Sequence, residues 1–297
     1  MAQTSQVLQE AVHRESRGIF AGAMRVFLKS PSAMLGLSIV VIVALVAIAA
    51  PWISPYDPID QIILERLEPP SVVHWFGTDK YGRDVLSRVI WGARISLQVG
   101  VTAVVLGVAV GIFFGSIAGY FGGKIDQAVV MVADIMLSFP GMLLALGLAV
   151  ALGSGLNTII IAVAVWSIPS CARLLRGQSL TVKSMDYVQA AVVLGAGHFR
   201  IMMRHILPNV IMPVIVYATL RVAGSILVEA TLSFLGVGVK PPTPTWGNII
   251  SDGRQFMRDA PWISLFPGLV IMLTVTGFNL MGDALRDAFD PRLRGES

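Results

Sequence analysis

The sequence predicts an all-α membrane protein with six transmembrane helices. Its 297 residues are 55% hydrophobic and only 13% charged, whereas about 25% charged residues are usual in soluble domains. Several stretches without charge also exceed the ~20 apolar residues that cross a bilayer. These stretches are continuous rather than alternating, which favours helices over a β-barrel, because only a helix satisfies its backbone hydrogen bonds within one segment.

Four charge-free stretches and one stretch with two charges define the spans. The charge-free stretches are residues 30–56, 95–123, 135–172 and 260–282. The third is too long for a single crossing, and Gly153, Ser154 and Gly155 predict a tight turn that divides it. The predicted helices are 33–53, 95–120, 127–150, 157–175, 210–235 and 263–282.

Lysine and arginine are more numerous in segments 1–30, 121–126, 173–208 and 283–297 than in segments 54–94 and 236–262. The positive-inside rule therefore predicts that both termini are cytoplasmic. The net charge of +4 reflects this topology. Nucleic acid is not a predicted partner, because no basic stripe with interleaved aromatic residues is present.

The first span is not interpreted as a signal peptide, because its apolar run exceeds the roughly 7 to 15 residues of such a segment and follows a long polar lead. That lead, residues 1–30, is predicted to contain a helix at the membrane interface, and a disordered tail upstream of Gly18 is the alternative. The apolar residues of this helix are Ile19, Phe20, Met24, Phe27 and Leu28.

Motifs of membrane enzymes are absent from the sequence, so the chain is predicted not to be an enzyme and to hold no cofactor or metal. It has no phosphate-binding Gly-x-x-x-x-Gly-Lys-Ser/Thr loop and no His-Glu-x-x-His motif. His198 and His205 lie seven residues apart, but solvated or packing roles are favoured over a metal site. Cys171 is the only cysteine and excludes an internal disulfide.

Glycines recur every four residues in the second span. This pattern predicts a smooth face on which another helix packs closely. The glycines are Gly107, Gly111, Gly115 and Gly119.

Three ionisable residues, Asp134, Arg221 and Glu229, lie inside predicted spans. Each costs roughly 2.5 to 3.5 kcal/mol on insertion scales, so each is expected to face protein or a wet cavity. Arg221 and Glu229 are two helical turns apart and share a face. A buried structural pair, the lining of a translocation path and a proton relay all remain open for them.

Residues 176–208 are too polar to span a membrane and too helical in pattern for a flexible linker. Asp186 is positioned to cap a first short helix that ends at Gly195. A second short helix is predicted from His198 to Leu207, where Pro208 stops it. The 176–208 segment is therefore predicted to project from the membrane and to dock into a partner's groove.

This segment resembles the signature of permease subunits of bacterial ABC importers, which reads Glu-Ala-Ala, three residues, Gly, nine residues, Ile-x-Leu-Pro. The spacing matches throughout, and only Gln189 and His205 depart from the pattern. The resemblance implies that the segment is a coupling helix that inserts into an ATPase subunit. The residues to which this role is carried over are Gln189, Ala190, Ala191, Gly195, His205, Leu207 and Pro208.

Motifs in residues 77–88, 232–247 and 278–291 resemble the second permease of dipeptide, oligopeptide and nickel importers. The resemblance implies a type I ABC importer transmembrane domain in the bacterial inner membrane. It also implies four kinds of partner: a second permease subunit, two ATP-binding subunits that hold ATP and Mg, an extracytoplasmic substrate-binding protein, and membrane lipid.

The expected division has a cytoplasmic segment 1–30, a first span with an extracytoplasmic segment 31–94, a core permease domain 95–283 and a cytoplasmic tail 284–297. Residues 77–88 are expected to form a fixed outer structure that meets a partner. Trp246 is expected to anchor at the membrane surface.

The function expected from the resemblance is import of short peptides, dipeptides, oligopeptides or glutathione, with nickel chelates or other small solutes as alternatives. A proton-coupled secondary transporter using Asp134, Arg221 and Glu229 is a rival. A purely structural assembly subunit is another. Neither rival explains the 176–208 segment together with the other ordered motifs.

Overall fold

The structure, a computed structural model, describes residues 24–289. The secondary structure in this part of the chain is helical, apart from one isolated bridge between Thr78 and Asp84. The long helices are α1 (Pro31–Ile53), α2 (Val85–Phe121), α3 (Gly123–Ser138), α4 (Gly141–Leu152), α5 (Leu156–Lys183), α8 (Leu207–Phe234) and α10 (Trp262–Phe289). The short helices are α6 (Asp186–Val193), α7 (His198–Ile201) and α9 (Trp246–Gly253).

Five helices within residues 24–289 are long and apolar enough to cross a membrane, and the bent pair α3 and α4 would make a sixth span. The prediction of an all-α fold with six spans is therefore confirmed. The orientation of the termini and the division into segments stay predictions. Within the lead 1–30, Ile19 and Phe20 lie outside the described residues, whereas Phe27 is buried in a helical turn beside Ala33 and Ala284.

The third span is not the single helix predicted over residues 127–150. Helix α3 ends at Ser138, and α4 begins at Gly141 after a bend of 89°. Pro140 causes the break, because proline has no backbone N–H and forces the residue before it out of helical geometry. Phe139 accordingly adopts an extended conformation with ψ of 138°.

The second span begins ten residues earlier than predicted. Asp84 caps α2, since its side chain accepts a hydrogen bond from the backbone N–H of Ser87 at 2.7 Å. Arg88 and Arg94 therefore lie in the first turns of the helix, where Arg88 is buried among acids and Arg94 covers the ring of Trp91. A helix can start with charged residues when they end outside the apolar layer or find partners.

The centre of the fold is the contact between α2 and α5, which pack along most of their lengths, with α8 lying across both. The predicted glycine face makes this contact. A Cβ atom on Gly107 would lie 2.7 Å from the carbonyl oxygen of Ala164, and one on Gly115 would lie 2.5 Å from that of Ala172. A Cβ atom on Gly111 would lie 2.5 Å from the Cβ atom of Cys171, and one on Gly119 would lie 2.6 Å from that of Ser179. The prediction of a helix-packing face is confirmed.

Replacing Gly115 with valine should destabilise the fold, because the new side chain meets a backbone oxygen that moves only if α5 moves. We expect a loss of about 1 to 3 kcal/mol or more from overpacking. Gly147→Val is the matched control, because a Cβ atom there has nothing within 4 Å and the helix-propensity cost is the same. The stability of both variants is measured by thermal unfolding in detergent, monitored as the fraction of protein that stays monodisperse. Equal losses in the two variants would contradict the packing role.

Candidate functional site

The 176–208 segment leaves the bundle at the end of α5. Ser184 follows α5, and Met185 is the residue that precedes the first turn of α6. The sequence predicted that Asp186 caps this helix, but Asp186 is its first residue. Its negative charge there stabilises the helix, because it lies at the positive end of the helix dipole. The side-chain amide of Gln189 donates to the carbonyl of Lys183 at 2.8 Å, so it ties α6 back to the end of α5.

Gly195 ends α6, as predicted, and does so in the left-handed region with φ of 78°. Its N–H donates to the carbonyl of Val192 at 2.9 Å, and the N–H of Ala196 donates to that of Ala191 at 3.0 Å. This pair of bonds is the Schellman arrangement, which satisfies carbonyls at the helix end and favours glycine. Ala190 and Ala191 lie in the last turn before it.

The second short helix of the segment does not stop at Pro208. Helix α7 continues through a π-helical turn, Met202–Ile206, into α8. Pro208 lies in the first turn of α8, where its missing N–H costs little, and Leu207 donates to the carbonyl of Met202, five residues back. The prediction of a separate helix was wrong because this wider turn lets the chain continue past the proline.

Polar contacts fix the segment to the C-terminal ends of α2 and α5. The Tyr120 hydroxyl lies 2.7 Å from Nδ1 of His198, and Nζ of Lys183 donates to the carbonyl of Tyr120 at 2.6 Å. Val188, Ile201 and Ile206 are buried in the same core as the long helices. The segment is therefore joined to the α2–α5 pair by both apolar and polar contacts.

The outer side of the segment presents a row of exposed apolar side chains, which we call the apolar face. Val193 and Leu194 are 85% and 86% exposed, and Phe199 is 76% exposed. Val192 and Met203 complete it. Exposed apolar surface of this kind marks an interaction site. Of the carried-over residues, Ala190, Gly195 and Pro208 are exposed, and Ala191, His205 and Leu207 are half-buried.

The three intramembrane ionisable residues are not brought together, since no ion pair within residues 24–289 joins two of them. Glu229 is fully buried and accepts hydrogen bonds from the hydroxyls of Ser96 and Ser233, both at 2.8 Å. Asp134 forms an ion pair with Arg173 on α5. The open interpretation of a buried pair between Arg221 and Glu229 is therefore wrong, because each contacts a different helix.

Arg221 contacts an aromatic ring instead of an acid. Its guanidinium carbon lies 3.6 Å from the centre of the Trp166 ring. Its Nε lies 3.4 Å from the hydroxyl of Ser167, and its Nη2 lies 3.4 Å from the carbonyl of Trp166.

The segment between α1 and α2 carries a buried ionic network. Nε of Arg83 lies 2.6 Å from Oδ2 of Asp79, and Nη2 of Arg83 lies 3.0 Å from Oδ2 of Asp252 on α9. Arg88 and Lys80 complete the network around the same two acids. These contacts agree with the prediction that residues 77–88 form a fixed structure, and its meeting with a partner stays a prediction.

His74 lies beside this network between two carboxylates. Its Nδ1 lies 2.9 Å from Asp84, and its Nε2 lies 3.2 Å from Glu65. Burial opposes the charged ring, but the hydrogen bonds and charges of Asp84 and Glu65 outweigh it, so the pKa of His74 is raised above 6.5. Protonated His74 thus ties the loop to the cap of α2, and this contribution is lost as the pH rises through the raised pKa.

Trp246 was predicted to be an anchor at the membrane surface, but it is a core residue. It is fully buried, and its Nε1 donates to the carbonyl of Val89 at 3.0 Å. The prediction was wrong because α9 packs against α10, α8 and α2, which cover the indole ring.

Several residues of these sites were missed from the sequence. Asp252 and Trp166 gave no local signal, since their partners lie far away along the chain. Asp126 pairs with Arg176 on α5, with Nη2 at 2.6 Å from Oδ2. The sequence did carry a signal for this pair. The 173–208 region has several arginines and a single acid, so the counter-charges of these arginines had to come from another segment, such as residues 121–126.

Comparisons with known proteins place this geometry in context. The family model of the binding-protein-dependent transport system inner membrane component matches residues 111–295, and that of the N-terminal TM domain of oligopeptide transport permease C matches residues 19–70. Glutathione transport system permease proteins GsiD of Escherichia coli and Shigella sonnei are 45% identical over 272 residues, which cover 91% of this chain and 90% of theirs. That of Shigella dysenteriae is 44% identical over the same length.

Replacing Asp79 with asparagine should destabilise the segment between α1 and α2, because two buried guanidinium groups would then face each other with one fewer counter-charge. Breaking a buried ion pair from one side costs about 3 to 5 kcal/mol. Asp60→Asn is the control, since Asp60 is exposed in the same segment. Thermal unfolding and limited proteolysis measure both variants, and an unchanged Asp79→Asn protein would disprove the structural role of the network.

Proposed function

Since this chain belongs to the family of binding-protein-dependent transport system inner membrane components, we propose that it moves short peptides into the bacterial cytoplasm. The chain is a permease of an ABC importer, a multi-pass protein of the inner membrane and a non-catalytic component. The peptide substrate, the coupling to ATP hydrolysis and the assembly with named partners are the proposed part.

The proposed complex contains a second permease subunit of similar fold and two ATP-binding subunits, which hold ATP and Mg on the cytoplasmic side. A substrate-binding protein delivers the peptide from outside. Both termini and the 176–208 segment of this chain lie on the cytoplasmic side in this arrangement, in keeping with the basic residues there.

One observation supports the coupling role above the others: the 176–208 segment exposes an apolar face while its inner side is fixed to α2 and α5. An apolar helix surface of this kind suits a groove on a partner. When the ATPase pair closes, α6 moves with its groove. Because Tyr120, Lys183 and His198 join the segment to the bundle, the movement reaches α2 and α5 and switches the cavity between outward and inward opening.

Glutathione, a tripeptide, is the favoured substrate. The relatives named above are glutathione transport system permeases, and the match covers nine-tenths of each chain. A nickel chelate or another small solute is the second candidate, because selection by the binding protein precedes the permease. No residue of the described bundle favours a metal chelate over a peptide.

A proton-coupled secondary transporter is disfavoured by the contacts of the ionisable groups. A relay needs groups that exchange protons through hydrogen bonds, whereas Asp134, Arg221 and Glu229 each contact other residues. A purely structural subunit is disfavoured by the extent of the match to permeases of transport systems.

Two variants of the 176–208 segment test the coupling. Gly195→Val forces a branched side chain into the left-handed region, at roughly 1 to 2 kcal/mol, and Ala191→Asp places a negative charge near a helix C-terminus, where it is unfavourable. We expect ATP-driven glutathione uptake by the reconstituted complex to fall about tenfold in each, with the isolated permease still folded.

Gly197→Ala is the control, because this glycine has φ of −64° and open space around it. Wild-type uptake should require ATP and survive a protonophore. Uptake that collapses with the proton gradient would contradict the importer mechanism. Normal uptake and normal ATPase docking in both segment variants would contradict the coupling role alone.

A further inference from the structure

Arg221 lies midway along α8, inside a membrane span, and no ion pair within the described residues 24–289 includes it. A charged group in this position faces protein or a wet cavity and finds a counter-charge. The other two ionisable residues differ. Asp134 has its counter-charge in Arg173, and Glu229 has the hydroxyls of Ser96 and Ser233.

The guanidinium of Arg221 is oriented but only weakly hydrogen-bonded. It stacks on the Trp166 ring, and its two hydrogen bonds, to Ser167 and to the carbonyl of Trp166, are both long at 3.4 Å. Its Nη1 donates to no group among the described residues. A guanidinium held flat in this way presents a planar pair of N–H donors, which matches a carboxylate.

The position of this pair in the fold also suits a ligand. Trp166 fills the corner of the broken span, because a Cβ atom on Gly141, the first residue of α4, would overlap its indole ring. The Tyr217 hydroxyl donates to the carbonyl of Ser167 at 3.2 Å, which adds a polar group to the same region. Interrupted transmembrane helices commonly border the substrate site of transporters.

We propose that Arg221 binds the carboxylate of the peptide during its passage through the permease. The substrate supplies the anion that the described residues lack, and Trp166 keeps the guanidinium aligned to receive it. The inference rests on the proposed function, since it requires a substrate with a carboxylate. It makes Arg221 the residue by which the permease itself favours acidic over neutral solutes.

The test compares glutathione with glutathione amidated at its glycyl carboxyl group. Both are delivered by the cognate binding protein at saturating occupancy to the full complex in proteoliposomes. In the wild type, the amide should move about tenfold more slowly than the free acid, the size expected for one charged hydrogen-bonded pair. Arg221→Gln should slow the free acid by a similar factor and leave the amide almost unchanged.

Arg221→Lys keeps the positive charge but loses the paired N–H donors of the guanidinium and its stacking on Trp166. It should therefore give an intermediate rate for the free acid. Arg173→Gln is the control, because it removes a guanidinium from a neighbouring span and should not discriminate between the two substrates. ATPase turnover of the empty complex reports whether each variant is assembled.

Four results overturn the inference. Equal slowing of acid and amide in Arg221→Gln would show a structural role, and failure of Arg221→Gln and Arg221→Lys to assemble with the second permease would place the counter-charge in that subunit. If the wild type imports neither compound with ATP, the proposed function fails and the inference falls with it. If the wild type imports both at one rate, the inference alone fails.

Discussion

Helices α2 and α5 lie in close contact, because the four glycines from Gly107 to Gly119 present no side chain of their own towards α5. In lipid, where apolar side chains gain little by leaving the solvent, such close contact is a main source of helix association. This contact determines the positions of α8 and of the 176–208 segment. Helix α8 lies across the pair. The 176–208 segment is fixed at the C-terminal end of the pair, where Lys183, the last residue of α5, donates to the carbonyl of Tyr120 in the last turn of α2. In the proposed function, the same close contact that stabilises the bundle carries movement from that segment.

Charged residues have different surroundings at one end of the bundle and within the membrane spans. At one end, Asp79, Asp252 and three basic residues form an ionic network, in which Arg88 lies 3.6 Å from Asp79 and 3.5 Å from Asp252. Within the spans, Glu229 is satisfied by hydroxyls from α2 and α8, so it joins helices. Arg221 differs, since it has the Trp166 ring on one face and no acid partner among residues 24–289. In the proposal made above, Arg221 meets the carboxylate of the substrate.

The sequence predicted the spans, the glycine face and the end of α6 at Gly195, because each depends on local composition or spacing. It failed where tertiary contacts decide. The break at Pro140 had a local signal in the proline itself, whereas the burial of Trp246 needed α9 to pack against α10, α8 and α2. The continuation of the chain through Pro208 depended on a π turn that no residue type announces. Asp252 and the ring under Arg221 were missed because their partners are distant in the chain.

We expect the 176–208 segment and the α2–α5 pair to move as one body when ATP binds. Spin labels on cysteines placed at Gly197 in the segment and at Phe113 on α2 measure this directly, since both positions are exposed and the native Cys171 is buried. In the assembled complex, the distance between the labels should be the same without nucleotide and with ATP trapped, while uptake confirms that the complex is active. A shift of that distance on ATP binding would show that the segment swings independently and would contradict the account.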